Sequence, residues 1–347
     1  MKLLKIKNKK QKPTVLFCTV LFTAFIFSCG PIPNIQEIED TDITPPIFTD
    51  IRTISENELE LNFNEITALV PDKIKITPDT RVEMVKDNRK DTRIFTGTQI
   101  PGLEYKVQVT AEDKRGNSNT FIVKFYGFNP DVPKLLINEF TTQGTGKHPD
   151  TVELRSVADG NMGGITLYDG TPLNYRVRFV FPNFKVKTNE YILIHFKPQG
   201  IQEEVNETGR KDLSAGYDSS ANAYDFWIEG GAGLSGNNGV LSLFSRPGGK
   251  LLDGILYSNR TSASDDRYRG FGTRDSMERA DELAEYRGWR TKDDTIKPED
   301  GINPEDSTGT RSICRNSSST DTDSKGDWHI VPTRGATFGN INSDEVY

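Results

Sequence analysis

Between residues 58 and 110 apolar side chains recur at every second position, and turn signals interrupt each run before it reaches the length of a helix. Leu59, Leu61 and Phe63 alternate with Glu60 and Asn62; Ile74 and Ile76 alternate with lysines and a threonine; Tyr105, Val107 and Val109 alternate with Lys106 and Gln108. A period of two puts each apolar set on one face of an extended strand, and that face needs a second layer to cover it. Val70-Pro71-Asp72, Thr77-Pro78-Asp79, Ile100-Pro101-Gly102 and Arg115-Gly116-Asn117 supply the turns between them. With 30 glycines, 18 prolines and a hydrophobic content of only 34%, the chain favours many short strands over helices.

The stretch Pro101-Gly102-Leu103-Glu104-Tyr105, with its alternating valines and the Asp113-Lys114-Arg115-Gly116-Asn117 turn, resembles the end of bacterial immunoglobulin-like domains. The resemblance covers residues 46–129 and implies a β-sandwich in which Tyr105 anchors a corner. Phe128-Asn129-Pro130-Asp131-Val132-Pro133 then reads as a linker, since two prolines in four residues resist both helix and central strand. Beyond it come Leu135-Leu136-Ile137-Asn138-Glu139-Phe140, Thr151-Val152-Glu153-Leu154, Thr166-Leu167-Tyr168-Asp169, Tyr191-Ile192-Leu193-Ile194-His195 and Asn238-Gly239-Val240-Leu241-Ser242-Leu243. This succession resembles the lamin-tail domain, an immunoglobulin-like sandwich, over residues 134–345. Thr151 departs from that pattern, which often has an aromatic there, and the segment is longer than such a sandwich needs. The excess falls near 197–228 and 257–327. Within the second insert, residues 275–286 suit a short helix with Asp275 able to cap it and Ala280, Leu283 and Ala284 on one face. Lys292–Asp327 reads as a polar surface excursion, partly disordered in isolation. The expected fold is all-β: two immunoglobulin-like sandwiches in tandem, the second with long inserts and a short helix.

The N-terminus is of another kind. Six lysines and no acid precede Val15–Phe27, an apolar run of thirteen residues that spans about 20 Å as a helix, short of the roughly 30 Å hydrocarbon core. Ser28-Cys29-Gly30 closes it. Together these resemble a bacterial lipoprotein signal over residues 1–28, with Cys29 as the lipid (palmitate-type) attachment site and 29–45 as a tether. Bulky Phe27, where most bacterial lipoproteins have a small residue, resembles the relaxed signals of spirochaetes.

Removal of residues 1–28 leaves 37 basic and 50 acidic residues, a formal net charge of −13 against −7 for the whole chain. Such a surface repels phosphate backbones, and acids interleave Arg267, Arg269, Arg274 and Arg279, so no nucleic-acid partner is expected. Cys18 lies in the signal and Cys29 at its end, leaving Cys314 alone, so no intramolecular disulfide is available.

The best cluster for metal chemistry is His148, Asp150, Glu153 and Asp169, with Glu139 on the preceding strand; five such groups could hold a divalent ion and activate water. Glu139 and Glu153 sit where the lamin-tail pattern has acids, which favours hydrogen-bonded framework roles. His195 and His329 read as satisfied structural histidines. Asp321–Asp327 resembles a calcium loop but lacks the downstream glutamate, and Gly230-Gly231-Ala232-Gly233 lacks the lysine and helix of a phosphate loop. Tyr224, Phe226 and Trp227 read as core or ligand contact, with Tyr217 the exposed member. The expected function is a lipid-anchored cell-envelope protein, outer-membrane or surface, acting as a non-catalytic binding or structural module through the lamin-tail loops. The expected partners are the membrane, through Cys29, and a protein or glycan, with no cofactor and no metal. The alternative is a metal-dependent hydrolase of the envelope.

Overall fold

A computed structural model describes residues 42–347; the signal segment, Cys29 and most of the tether lie outside the described residues. The chain divides into two units, residues 1–44 and 45–347. The second is almost entirely β-structure.

Its first part contains β1 (Phe48–Ser55), β2 (Glu58–Leu69), β3 (Lys75–Thr77), β4 (Val82–Lys86), β5 (Arg89–Thr96), β6 (Glu104–Glu112) and β7 (Ser118–Tyr126). Strand β2 is twelve residues long and serves two layers. Residues 58–62 pair with β1 and β5, whereas Ala68 and Leu69 pair with β6, which also carries β3 and β7. The register between β2 and β5 breaks between Asn62 and Thr67, where the strand bends from one layer into the other. The expected alternation is present: Leu59, Leu61 and Phe63 point inward onto Ile94, Val107 and Val109. Tyr105 is buried and stacked on Phe125, and its hydroxyl accepts the N–H of Ile100 at 3.0 Å, as a corner residue does.

The remainder builds a second sandwich around its own core. One sheet runs β15 (Ala223–Ile228), β14 (Tyr191–Phe196), β9 (Thr151–Ser156), β8 (Leu135–Phe140), β18 (Ile313–Arg315), β19 (Trp328–Ile330). The facing sheet runs β12 (Tyr175–Val180), β11 (Thr166–Gly170), β16 (Asn238–Phe244), β17 (Leu251–Ser258), and β10 (Gly160–Asn161) and β13 (Lys185–Val186) form a small ribbon. All pairings between these strands are antiparallel except β14 with β15, which the long connection after β14 permits. Strands β8, β14 and β15 are buried at every position, which explains why apolar residues do not alternate with solvent-facing ones along them and why Asn138, Glu139, His195 and Asp225 need internal partners. Ile192, Ile194 and Phe226 face the inter-sheet core, while Tyr191 and Leu193 point outward beneath Phe338 of the C-terminal segment.

The two sandwiches meet at the 100–102 turn. Gly102 has φ +71°, and a Cβ there would lie 2.0 Å from the nitrogen of Gly164. Asn129 donates from Nδ2 to the carbonyls of Asn161 (2.6 Å) and Gly163 (2.9 Å), so the linker is itself fastened.

Two expectations are corrected. The helix α1 is Arg274–Glu285, and its cap is Thr273, whose side chain accepts the N–H of Ser276 at 3.1 Å; Asp275 already lies within the first turn. The segment 292–327 is not a surface excursion. It supplies β18, hydrogen-bonded between β8 and β19, and buries Ile296, Ile302, Ile313, Cys314 and Arg315. Its low apolar content misleads because its polar groups are buried in hydrogen-bonded pairs rather than solvated.

Candidate functional site

Of the groups assembled from the sequence, Glu139 and Glu153 stay side by side on β8 and β9, while the others lie elsewhere. Glu139 accepts the Ser312 hydroxyl and, from the C-terminal segment, the Thr337 N–H (2.9 Å) and hydroxyl (2.7 Å). Glu153 accepts Asn138 Nδ2 at 2.7 Å and the Gly339 N–H at 2.6 Å. Asn342 continues the clasp, donating to the carbonyls of Asn138 and Arg315. Burial pushes the pKa of both acids up, and the charge of Glu139 adds to the rise at Glu153. The pair therefore fastens residues 337–342 across the outer face of the six-stranded sheet, and both carboxylates are buried. Asp169 instead belongs to the four-stranded sheet, on β11, where it pairs with Arg176 of β12 at 2.5–2.8 Å. Exposed His148 pairs with Asp218 at 3.1 Å.

Asp150 belongs to a different feature, a cavity of about 490 Å³ at one end of the second sandwich. Its walls come from the β8–β9 loop, the start of the long β14–β15 connection and the β15–β16 loop. Asp150 is the inward post on which these loops hang: Oδ1 accepts the Gly144 N–H at 2.6 Å and Oδ2 accepts the Leu234 N–H at 2.7 Å. Burial raises its pKa, opposed by those N–H groups and by Arg176 and Lys197. Gly233 is required beside it, because a Cβ would come within 2.5 Å of Oδ2. The cavity mixes apolar wall, from Pro149, Phe196 and Pro198, with Gln143, Lys197 and Gln199. Thr142 lines it too, and its buried Oγ1 has no hydrogen-bond partner. Shape, mixed lining and a position where three loops converge are what a ligand site requires.

The 197–222 connection is held down by a second buried polar knot. Glu207 accepts the N–H groups of Leu213, Ser214 and Asp225 at 2.7–2.9 Å. Asp225 in turn meets His195 Nε2 at 2.6 Å, and the other ring nitrogen meets Thr151 Oγ1 at 3.1 Å. The His195 ring stacks on Trp227 with centroids 4.0 Å apart, and the whole group is closed to solvent. Tyr224, Phe226 and Trp227 are core residues of β15, whereas Tyr217 is 40% exposed.

A third assembly surrounds Arg315, which is fully buried. Nε donates to the Ile137 carbonyl at 2.8 Å, Nη1 reaches Asp321 at 3.0 Å, and Nη2 lies 3.4 Å from Asp253. Burial pushes Asp253 up to about 7 despite that guanidinium. The carboxylates of Asp253, Asp321 and Asp323 lie close enough to share an ion, so the 321–327 run contributes acids to a shared cluster rather than forming a self-contained loop. Cys314 is buried 3.7 Å from His329 Nε2, and burial drives its thiol pKa up, the reverse of an activated nucleophile.

Sequence reasoning missed Thr142, Glu207, Asp253, Arg315 and Asn342. Asp253, Arg315 and Asn342 meet partners far away in sequence, Glu207 gathers its own 207–225 connection, and the Thr142 hydroxyl has no partner, so none belongs to a short local pattern. A protein-family model described as a protein second domain (TP_1001_2nd) matches residues 133–330. An uncharacterized protein of Treponema pallidum (strain Nichols) is 27% identical over 158 residues, which are 46% of this chain and 40% of that protein. The chain thus spans about two fifths of the length of this spirochaete relative.

Proposed function

The chain belongs to that second-domain family, and from this premise we propose that it is a lipid-anchored envelope protein whose lamin-tail-like sandwich acts as a non-catalytic binding module. Cys29 carries the anchor, the 46–129 sandwich serves as spacer, and the loop-end cavity of the second sandwich faces the partner, a protein or glycan at the outer membrane or cell surface. The observation that carries the reading is the convergence of three loops on the cavity around Asp150. The 197–228 insert supplies one wall of it, while the 257–327 insert is largely packed into or against the second sandwich and offers less free surface. Engagement of both Glu139 and Glu153 by the C-terminal segment supports a framework role for the acids over hydrolysis. A mature charge of −13 argues for a partner other than nucleic acid.

Gly146 borders the cavity with room for a side chain and without a left-handed backbone, so Gly146→Trp fills the site while sparing the core. Envelope fractions should yield a partner captured by the unmodified chain and lost with G146W. Equal capture by both would remove the loop end as the binding face. Mass spectrometry of the mature N-terminal peptide tests the anchor, and an unmodified Cys29 would refute it. Accessibility of the protein to protease on intact cells tests the surface location.

A further inference from the structure

We propose that the loop-end cavity binds a carboxylate on a polar ligand about the size of a sugar, with Lys197 as its charge partner and Thr142 and Gln143 as neutral hydrogen-bonding groups. This rests on the reading of that end as the binding face. The balance of donors and acceptors at the cavity carries it. The acid present, Asp150, is turned inward and already accepts two backbone N–H groups. Arg176, behind it, is neutralised by Asp169. Lys197, by contrast, is exposed at the wall and makes no ion pair among the described residues. In a chain with net negative charge, an exposed ammonium that has no salt bridge and acts on Asp150 only through space is a local reversal of sign beside the cavity. The Thr142 hydroxyl is the second, independent observation. Thr142 is 4% exposed and lines the cavity, and its enclosed hydroxyl lacks any partner, a cost that a bound acceptor removes once the side chain turns toward the cavity. Gln143 and Gln199 place side-chain amides on the same walls. One ammonium with neutral donors suits a monoanion, which favours a carboxylate over a phosphate dianion. Pro149, Phe196 and Pro198 offer the apolar surface against which a pyranose ring or a small aliphatic side chain packs.

The test titrates the full-length chain, by calorimetry and amide spectra, with N-acetylmuramic acid, N-acetyl-D-alanyl-D-alanine and neutral N-acetylglucosamine. At least one carboxylate probe should bind about tenfold tighter than the neutral sugar, as a charge-assisted hydrogen bond provides, and shift the amides of residues 142–146 and 196–199. The carboxylate probe that binds tighter assigns the source to a glycan or to a peptide. Lys197→Met should abolish the preference, Lys197→Arg should retain most of it, and Thr142→Val should weaken both classes. A preference that survives K197M, or the absence of any preference, overturns the carboxylate assignment, as does failure of all three probes to bind. Equal shifts from all three would leave the loop end as a binding face. Loss of that face is read separately, from undiminished partner capture by G146W.

Discussion

Replacing Arg315 by Met keeps much of the side-chain volume and removes one buried charge. The guanidinium is fully enclosed, stacks over Trp328 at 4.6 Å and faces Asp253, Asp321 and Asp327 at 3.0–3.5 Å. Deleting one partner of a buried ion pair costs about 3–5 kcal/mol, because the other charge stays behind without compensation. Asp253 is the group left exposed to that penalty. Its carboxyl is already raised from 3.8 to about 7, a gap worth roughly 4 kcal/mol in linkage. The sign follows from the direction of the shift. An acid raised in the folded state contributes its full stability below the unfolded value and loses it as pH rises through the folded one. Arg315→Met should therefore destabilise by about 3–5 kcal/mol at pH 8 and by clearly less at pH 5, where Asp253 takes up a proton. Adding Asp253→Asn should recover at least half of the loss at pH 8. Urea unfolding of the four proteins of this double-mutant cycle, at both pH values, gives the numbers directly. A single-variant loss below about 1 kcal/mol, or strict additivity of the two changes, would refute the assignment of the pair as the electrostatic centre of this region.

Glu139 and Glu153 share the raised direction, so with Asp253 they should make the protein more stable as pH falls from 8 toward 5, measured as a rising urea midpoint. Below that window the trend should reverse as Asp113, Asp159 and Asp344, all lowered by hydrogen bonds, become protonated. Gly102→Val forces a side chain into the backbone of Gly163 and Gly164 at a left-handed position and should cost about 2–4 kcal/mol; a change within 0.5 kcal/mol would deny the close contact between the sandwiches. Deleting residues 292–327 removes β18 from between β8 and β19 and should abolish the near-ultraviolet signature of the second sandwich, whereas a surface segment would leave it intact.

What could be read from the residues in order is what local physics specifies. Alternation at Leu59, Leu61 and Phe63 fixes a half-buried strand because only the period matters. The run Tyr191–Phe196 marks a strand covered on both faces, although it does not say that Phe338 provides the second cover. The segment around Arg315 defeats the same logic, since low apolar content predicts solvation only when polar groups lack internal partners. Arg315 finds Ile137, Asp253 and Trp328, from 178 residues upstream to 13 downstream, and no composition window contains those pairings. The cavity was hidden for a related reason. Asp150 was visible as an acid that could ligate, but its oxygens accept the N–H groups of Gly144 and of Leu234, 84 residues away, and so tie the loops together. Lys197 then becomes informative only by subtraction, as the cavity cation without a salt bridge once Arg176 has been given to Asp169. Long-range pairing in this protein thus converts polar residues that look reactive into framework and leaves the exposed remainder as the candidate chemistry of recognition.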